Sequence, residues 1–135
     1  MILTRGLPGS GKSTWARHTV AAAEGRIVRV NKDDLRAMLH DSRWSEANEV
    51  LVELVRDAAI TAALDVQRDV IVDDTNLSPR HFEHIAQLVA GRAAIGIQDF
   101  THVPIEECIQ RDKERSRSVG ERVIREMFDR HLKEN

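Results

Sequence analysis

The sequence contains little of what builds disulfide-rich or membrane-spanning proteins. Its 135 residues include one cysteine, Cys108, three prolines and no tyrosine, and aromatic residues make up 4% of the chain. A single cysteine cannot form an internal disulfide, which agrees with a reducing cytosol. No apolar run approaches the length of a bilayer span, and no charged-then-apolar leader precedes the first predicted strand. We therefore expect a cytoplasmic protein without membrane contact.

Length and charge restrict the class further. A chain of 135 residues has room for one core, so we expect a single domain over 1–135 and no second catalytic module. The net charge is −2, but residues 1–36 hold seven Lys or Arg against three Asp or Glu, whereas residues 37–110 hold five against thirteen. Polyanion binding needs local positive potential, not a basic chain overall. The distribution therefore permits a nucleic-acid substrate without requiring one.

The most informative motif is Gly6-Leu7-Pro8-Gly9-Ser10-Gly11-Lys12-Ser13, which matches G-x-x-x-x-G-K-[ST]. In such a loop the glycines let backbone N–H groups converge on a polyanion, while the lysine reaches the β- and γ-phosphates and the serine ligates Mg²⁺. A predicted strand over 2–5 and a predicted helix over 12–23 supply the required context. We therefore predict ATP and Mg²⁺ as cofactors and a partly exposed Lys12. The cofactor-binding residues predicted from the loop are Gly6, Pro8, Gly9, Ser10, Gly11, Lys12, Ser13 and Thr14.

Strands and helices alternate along the rest of the chain. Further strands are predicted at 27–30, 70–72 and 95–100, and helices at 34–40, 46–66, 79–89, 104–109 and 121–132. This alternation predicts an α/β fold, a three-layer sandwich around a four-stranded parallel sheet. Ser118 and Glu121 have capping-box spacing for the last helix. The long third helix is predicted to bury the stripe Val50, Leu51, Leu54, Val55, Ala58 and Ala62.

Ligands on a parallel sheet bind at the carboxyl ends of its strands. A hydrophobic strand that ends in an acid is typical of Mg²⁺ sites in kinases, although strands also end in Asp because Asp initiates turns. Strand register decides whether Asp73 or Asp74 faces the phosphate loop, and the sequence leaves this open. The polar residues after the second strand are Asp33, Asp34 and Arg36, and those after the third are Asp73, Asp74, Thr75 and Asn76.

A basic run, Arg111, Lys113, Arg115 and Arg117, precedes the last predicted helix. A solvated surface is the ordinary interpretation of such a run. In a small kinase, however, a segment at this place folds over the nucleotide, because charge develops on the γ-phosphoryl oxygens and water must be excluded. We therefore predict a lid whose Arg111 and Arg115 bind the nucleotide.

Four segments together resemble a known family. GLPGSGKSTW (6–15), NKDDLR (31–36), DTNL (74–77) and the basic segment 111–115 are similar, in order and spacing, to the kinase domain of the phage and bacterial 5′-OH polynucleotide kinases. The resemblance covers nearly the whole chain. It implies a P-loop kinase with an arginine-bearing lid that transfers the γ-phosphate of ATP to the 5′-hydroxyl of DNA or RNA in nucleic acid repair. It also raises self-association, and a host-cell cytoplasmic location if a phage encodes the chain.

The resemblance also implies roles for individual residues. Asp33 would act as general base, Arg36 would contact the acceptor phosphate, and Arg115 would be the lid arginine, with Arg111 the weaker candidate. Asp74 matches an acid that the family needs for activity. The predicted catalytic residues are thus Asp33, Lys12 and Arg115; the acceptor-binding residues are Asp33, Arg36, Asp74, Thr75 and Asn76; the metal ligands are Ser13 and Asp74.

Several alternatives stay open at this point. Asp33 could instead cap the helix over 34–40. Trp44 either stacks on a terminal base or packs in front of a Ser45 cap. The acceptor could also be a hydroxymethylated base within DNA or a small metabolite. A nucleotide-binding module without enzymatic activity is disfavoured, because a base candidate and a lid accompany the phosphate loop.

Overall fold

The computed structural model describes residues 1–133. It contains a sheet of four parallel strands in the order β2-β3-β1-β4, which confirms the predicted α/β fold class. The strands are β1 (Ile2–Arg5), β2 (Ile27–Val30), β3 (Asp69–Val72) and β4 (Gly96–Asp99). The helices are α1 (Lys12–Ala22), α2 (Lys32–His40), α3 (Glu46–Asp65), α4 (Pro79–Leu88), α5 (Ile105–Lys113) and α6 (Glu121–His131).

The two central strands, β1 and β3, determine where the site lies. They pair in parallel, with Leu3 opposite Val72, so the phosphate loop after β1 lies beside the acidic segment after β3. A hydrogen bond from the Gly6 N–H to the Thr75 carbonyl, 3.0 Å long, joins these two segments. The site therefore forms at the carboxyl edge of the sheet, where strand topology places ligands.

Two hydrophobic clusters hold the elements together, and each stabilises the fold by removing apolar surface from water. The main core packs α3 and α4 against the sheet and consists of Leu3, Val30, Ile60, Ala63, Val70, Val72, Ile85 and Val89. The second cluster attaches the phosphate loop to α5 and α6 and consists of Leu7, Leu77, Cys108, Ile109 and Ile124.

Most helix boundaries follow the signals in the sequence. The Ser45 hydroxyl accepts the Asn48 N–H at 3.0 Å as the N-cap of α3, and Pro79 stands in the first turn of α4. Gly25 and Gly91, which follow α1 and α4, have positive φ angles of 83° and 75°, the left-handed conformation that glycine tolerates best. The helix α5 continues to Lys113, four residues beyond the predicted end at 109.

The buried face of α3 differs from the predicted one. Val50 and Leu54 are each 60% exposed, whereas Val52, Arg56, Ile60 and Ala63 are buried. Both sets have helical spacing, and the helix carries apolar residues on most of its circumference. Arg56, a charged residue, lies in the middle of the buried face, so the apolar pattern of the sequence does not indicate this face.

The predicted capping box of α6 is also wrong. Gly120 occupies the N-cap position without a side-chain cap. The Ser118 hydroxyl donates instead to Asp112 Oδ2 at 2.7 Å, because the buried Asp112 carboxylate organises the turn between α5 and α6. Among residues 1–133, no helix combines the length and hydropathy needed to cross a bilayer.

Candidate active site

The phosphate loop packs directly against the backbone of α5. Gly9 has a φ of +82°, and a Cβ at this position would lie 2.3 Å from the Cys108 carbonyl oxygen. Gly11, with φ +101°, is the N-cap residue of α1. Both positions therefore require glycine, Gly9 for space as well as for conformation. The loop leads into the N-terminal end of α1, where the helix dipole favours phosphate.

A cleft of about 770 Å³, the nucleotide cleft, opens beside this loop. Its opposite wall includes Phe100 and His102, and the Trp15 and Phe100 rings lie 6.2 Å apart. Most of the predicted cofactor-binding residues line the cleft, namely Gly9, Ser10, Gly11, Lys12, Ser13, Thr14, Arg111 and Arg115. Gly6 and Pro8 do not line it: the Gly6 N–H is bonded to Thr75, and Pro8 borders a second cleft.

Lys12 is more buried than expected from its position in a surface loop. The residue is only 8% exposed, and its ammonium group donates to the Leu7 carbonyl at 2.6 Å. Burial lowers the pKa of Lys12 to about 8, and the nearby Asp73 carboxylate only partly offsets this effect. The expectation of a partly exposed Lys12 was therefore wrong, because the side chain folds back into its own loop.

The register of β3 brings Asp73, not Asp74, to the phosphate loop. The Ser13 hydroxyl donates to Asp73 Oδ2 at 2.8 Å, and Asp73 is 1% exposed. Hydroxyl and carboxylate oxygens suit Mg²⁺, which binds through one or two such groups and completes its shell with water and phosphate. Among the described residues, no group of three His, Cys, Asp or Glu could hold a metal alone. Ser13 and Asp73 are therefore the pair that fits the ion.

Asp74, the predicted metal ligand, points away from Ser13. Its Oδ1 accepts the Lys32 N–H at 3.0 Å, while its buried Oδ2 has no hydrogen-bond partner among the described residues. Burial raises the pKa of Asp74 to about 6, against the lowering effect of the Lys32 charge. Asp74 therefore lines the second cleft and not the Ser13 side of the loop.

Arg29 belongs to the site but was not predicted from the sequence. Its Nε donates to Asp73 Oδ2 at 2.7 Å and its Nη1 to Asp34 Oδ2 at 2.6 Å. The side chain is 14% exposed and connects the segments after β2 and β3. A charged residue within the apolar run Ile27-Val28-Arg29-Val30 was the signal that could have identified it.

The N-terminal turn of α2 positions the predicted base. Asn31 is the N-cap, with its Oδ1 accepting the Asp34 N–H at 2.9 Å and its Nδ2 donating to the Asp73 carbonyl at 2.5 Å. The alternative that Asp33 caps this helix is therefore wrong. The Asp33 carboxylate, 59% exposed, accepts a hydrogen bond from Arg36 Nη1 at 2.7 Å instead.

Arg36 is held by a second partner, Glu49, which was not predicted from the sequence. Its Nε and Nη2 donate to the two oxygens of Glu49 on α3, at 2.7 and 2.5 Å. This bidentate pair raises the pKa of Arg36 and lowers the pKa of Glu49. Because Glu49 fixes two of its nitrogens, Arg36 presents its remaining edge to the Asp33 carboxylate.

The second cleft, about 200 Å³ in volume, lies next to the nucleotide cleft and is called the acceptor cleft below. The predicted residues Asp33, Arg36, Asp74 and Thr75 line it together. Asn76 does not: it is 8% exposed and its amide donates to the Thr4 carbonyl at 2.7 Å and the Val72 carbonyl at 3.2 Å. Asn76 therefore holds the ends of β1 and β3 together.

Arg115, in the segment predicted to be a lid and called the lid below, borders both clefts. Its Nη2 donates to the Arg117 carbonyl at 3.0 Å, and Asp112 lies 3.5 Å from its Nε. Arg117, which was not among the predicted site residues, donates to Asp34 Oδ1 at 2.8 Å. The lid is thereby attached to α2, and Asp34 joins Arg117 to Arg29.

Asp112 organises the lid segment from inside. It is fully buried and accepts hydrogen bonds from the Val119 and Gly120 N–H groups at 3.1 and 3.0 Å, besides that from Ser118. Burial by itself would raise the pKa of Asp112, but these hydrogen bonds hold it below its usual value. The turn that carries Arg115 is therefore built around one carboxylate.

Trp44 is 64% exposed. The alternative that it packs in front of the Ser45 cap is therefore wrong. It does not border either cleft.

Comparison with known proteins agrees with this geometry. The family model described as an AAA domain matches residues 1–133. The L-seryl-tRNA(Sec) kinase of Methanococcus maripaludis is 24% identical over 135 residues, 96% of this chain and 51% of that protein. A chain of the Pnkp1/Rnl/Hen1 RNA repair complex superposes with a TM-score of 0.82 at 32% identity, over 95% of this chain and 42% of that one. The APS kinase CysC of Mycobacterium tuberculosis, in complex with AMPPNP and APS, superposes with a TM-score of 0.65 at 21% identity, over 82% of this chain and 66% of that one.

These similarities carry different weight. The likeness to the APS kinase concerns the fold alone, at 21% identity. The chain spans about half the length of the seryl-tRNA kinase and less than half of the RNA repair protein. The family match and the repair-complex likeness, together with the phosphate loop, confirm the predicted resemblance. The chain belongs to the AAA domain family and is a P-loop kinase domain.

Proposed function

We propose that this chain is an ATP-dependent polynucleotide 5′-hydroxyl kinase domain. One observation carries the proposal: Lys12, Ser13 and Arg115 line the nucleotide cleft and the acceptor cleft alike. A γ-phosphoryl group bound by them would lie at the junction of the two clefts. A hydroxyl bound beside Asp33 could then attack phosphorus opposite the leaving group, as phosphoryl transfer requires.

In the proposed reaction, the 5′-oxygen forms a bond to the γ-phosphorus while the bond from that phosphorus to the bridging oxygen of ADP breaks. The Asp33 carboxylate accepts the hydroxyl proton. Lys12 and Arg115 neutralise charge that develops on the transferring group. Ser13 and Asp73 would hold a Mg²⁺ ion, which supplies further charge neutralisation at the phosphates.

Arg36 connects acceptor binding to the base. Its Nη1 contacts Asp33 at 2.7 Å, while Glu49 retains the other nitrogens. A phosphate of the acceptor strand would compete with Asp33 for that nitrogen. We infer that acceptor binding releases the Asp33 carboxylate from its ion pair and leaves it free to accept a proton, while Glu49 keeps Arg36 in place.

The positive charge of Arg36 favours an acceptor that carries a phosphate near its reactive hydroxyl. The likeness to a chain of an RNA repair complex at 32% identity supports the same substrate class. The two other candidate acceptors, a hydroxymethylated base within DNA and a small metabolite, give Arg36 a less direct role. A cytoplasmic location and self-association of the chain stay predictions.

An acceptor screen tests the proposal. The protein is incubated with γ-labelled ATP and Mg²⁺ and one of four acceptors: a 5′-OH oligonucleotide, its 5′-phosphorylated form, a hydroxymethylated duplex with blocked ends, or a set of free nucleosides and sugars. We expect label on the 5′-OH oligonucleotide and none on its 5′-phosphorylated control. Label found only on the blocked duplex or only on the small acceptors would contradict the proposal.

A further inference from the structure

A third cleft, of about 370 Å³, lies between α3 and α4 and is separate from the nucleotide and acceptor clefts. Of the residues that line it, Glu53 is the single acidic one. Arg56, Arg80, His81 and His84 bring nitrogen donors, and Ser78 is the N-cap residue of α4. None of these residues has a part in the mechanism above.

Arg56 is the unusual residue of this third cleft. It occupies the core face of α3 and is 4% exposed. Its Nε donates to Asp57 Oδ1 at 3.1 Å, but within residues 1–133 its two terminal nitrogens donate to no acceptor. These two nitrogens are not enclosed by protein atoms but are open to the third cleft. A bound anion would accept paired hydrogen bonds from them.

The surroundings of Arg56 favour an anion. Asp57 positions Arg56 and His84, with its Oδ2 2.6 Å from His84 Nε2, and offsets part of the Arg56 charge. The remaining features are positive. The ten-residue helix α4 begins at the cleft, and the Ser78 hydroxyl makes no capping hydrogen bond there. The N-terminal end of a helix carries partial positive charge and attracts phosphate. Arg80 contributes a mobile cation at the exposed rim.

The third cleft adjoins the acceptor cleft. Thr75 lines the acceptor cleft, and Ser78, three residues later, lines the third cleft. Because three residues of extended chain span at most about 11 Å, the two clefts are close together. A nucleic-acid strand gains one phosphate for about every 3.4 Å of helix axis. The distance between the two clefts therefore corresponds to the next few nucleotides of the acceptor.

We infer that the cleft between α3 and α4 is a second phosphate site, which binds a backbone phosphate of the acceptor strand internal to the one at Arg36. The inference rests on the proposed function. It makes Arg56 and Arg80 determinants of how strongly the enzyme prefers a longer acceptor. A nucleoside 3′-monophosphate reaches Arg36 but is too short for the third cleft.

The test compares acceptors of increasing length, from a nucleoside 3′-monophosphate to 5′-OH oligonucleotides of two to six nucleotides. For the wild type, kcat/KM should rise as the acceptor becomes long enough to reach the third cleft. Arg56→Met and Arg80→Gln should each lower the ratio of kcat/KM for the hexamer to that for the mononucleotide by about tenfold, since one charge-assisted phosphate contact is lost. Arg68→Gln, an exposed arginine at the opposite edge of the sheet, is the matched control and should keep the wild-type ratio.

The outcomes separate failure of the second phosphate site from failure of the proposed function. An unchanged ratio in Arg80→Gln, an exposed position where folding is not in question, would overturn the inference while the proposed function stands. No label on any 5′-OH acceptor with the wild type would overturn both. Inorganic phosphate is added as a competitor and should slow turnover of the hexamer more than that of the mononucleotide in the wild type, but not in Arg80→Gln. Equal slowing of both acceptors in the wild type would overturn the strand assignment.

Discussion

The nucleotide cleft is formed largely by one continuous segment, residues 9–15, whereas the acceptor cleft takes its side chains from α2, from the segment after β3 and from the lid. In the nucleotide cleft, backbone conformation at Gly9 and Gly11 produces the binding surface. In the acceptor cleft, ion pairs between distant parts of the chain produce it. Arg36 and Glu49 are 13 residues apart, Arg29 and Asp73 are 44 apart, and Arg117 and Asp34 are 83 apart.

This difference has a functional consequence. A local loop binds the phosphates common to all nucleoside triphosphates, so its geometry serves many kinases equally well. Tertiary ion pairs can be rearranged by single substitutions on separate elements, and acceptor specificity can therefore change while the donor site stays the same. Substitutions on the donor side should abolish transfer to every acceptor. Substitutions on the acceptor side should discriminate between acceptors.

Lys12→Ala is expected to have the largest effect. It removes the charge shared by both clefts, so phosphoryl transfer should fall by about 10³-fold or more for every acceptor. Circular dichroism and a thermal melt check that the variant folds, because removal of the lysine side chain also leaves the Leu7 carbonyl without its hydrogen bond. A natively folded variant with near-wild-type transfer would contradict the assignment of the phosphate loop.

Arg115→Ala should lower turnover by about 10³-fold with any acceptor, as loss of an arginine finger does. Its matched control is Lys113→Ala, two residues earlier on the same segment, where an exposed side chain faces Glu121 at 3.8 Å. The control should keep most of its activity. Equal losses in the two variants would point to general disruption of the lid.

Asp33→Asn should lower turnover by about 10²–10⁴-fold and leave ATP affinity nearly unchanged, because a general base acts in the transition state. Asp41→Asn, at the other end of α2, makes the same chemical change outside both clefts. Single-turnover rates and ATP binding are measured for both variants. Wild-type turnover in Asp33→Asn would remove this residue from the proton transfer.

The pH dependence of nucleotide binding should be smaller but specific to the donor side. Because burial lowers the pKa of Lys12 to about 8, the free protein loses this charge as pH rises through 8. ATP affinity should then fall by about fivefold from pH 8 to pH 9, in proportion to the protonated fraction of Lys12. The contribution of Lys12 to the free energy of unfolding changes in the opposite direction. Between pH 8 and pH 10.5 the folded state binds fewer protons than the unfolded state, so this contribution rises with pH. Calorimetric titration and denaturant melts check the two signs, and Lys12→Ala should abolish both.

The fold was predictable because its signals are local. The apolar run Val70–Val72, the Ser45 cap and the proline at the start of α4 each act over a few residues, and all of them appear in the structure. The core face of α3 was not predictable from periodicity, because Arg56 interrupts it and apolar residues occur all around the helix. The Ser118 hydroxyl was misassigned for a related reason: Asp112, buried by tertiary packing, competes for it.

In the candidate site, too, local features were predictable and long-range contacts were not. The sequence located the phosphate loop, the lid arginines and the carboxylates after β2 and β3. It could not choose between Asp73 and Asp74, because strand register depends on pairing with β1. Glu49, Arg29 and Arg117 were missed, since each functions through a partner far away in the chain. Asn76, which belongs to the DTNL segment, was predicted to bind the acceptor, but its side-chain amide donates to a backbone carbonyl instead.

The most direct test of the central claim is the kinetics of Arg36→Ala with two acceptors that differ in one phosphate, a nucleoside 3′-monophosphate and the plain nucleoside. We expect the variant to lose about 10²-fold in kcat/KM with the phosphorylated acceptor, the order expected for a charge-assisted contact, and much less with the nucleoside. Arg43→Ala, an exposed arginine just beyond the end of α2, is the matched control. An equal loss with both acceptors would contradict the account of the acceptor cleft and favour a small-metabolite kinase.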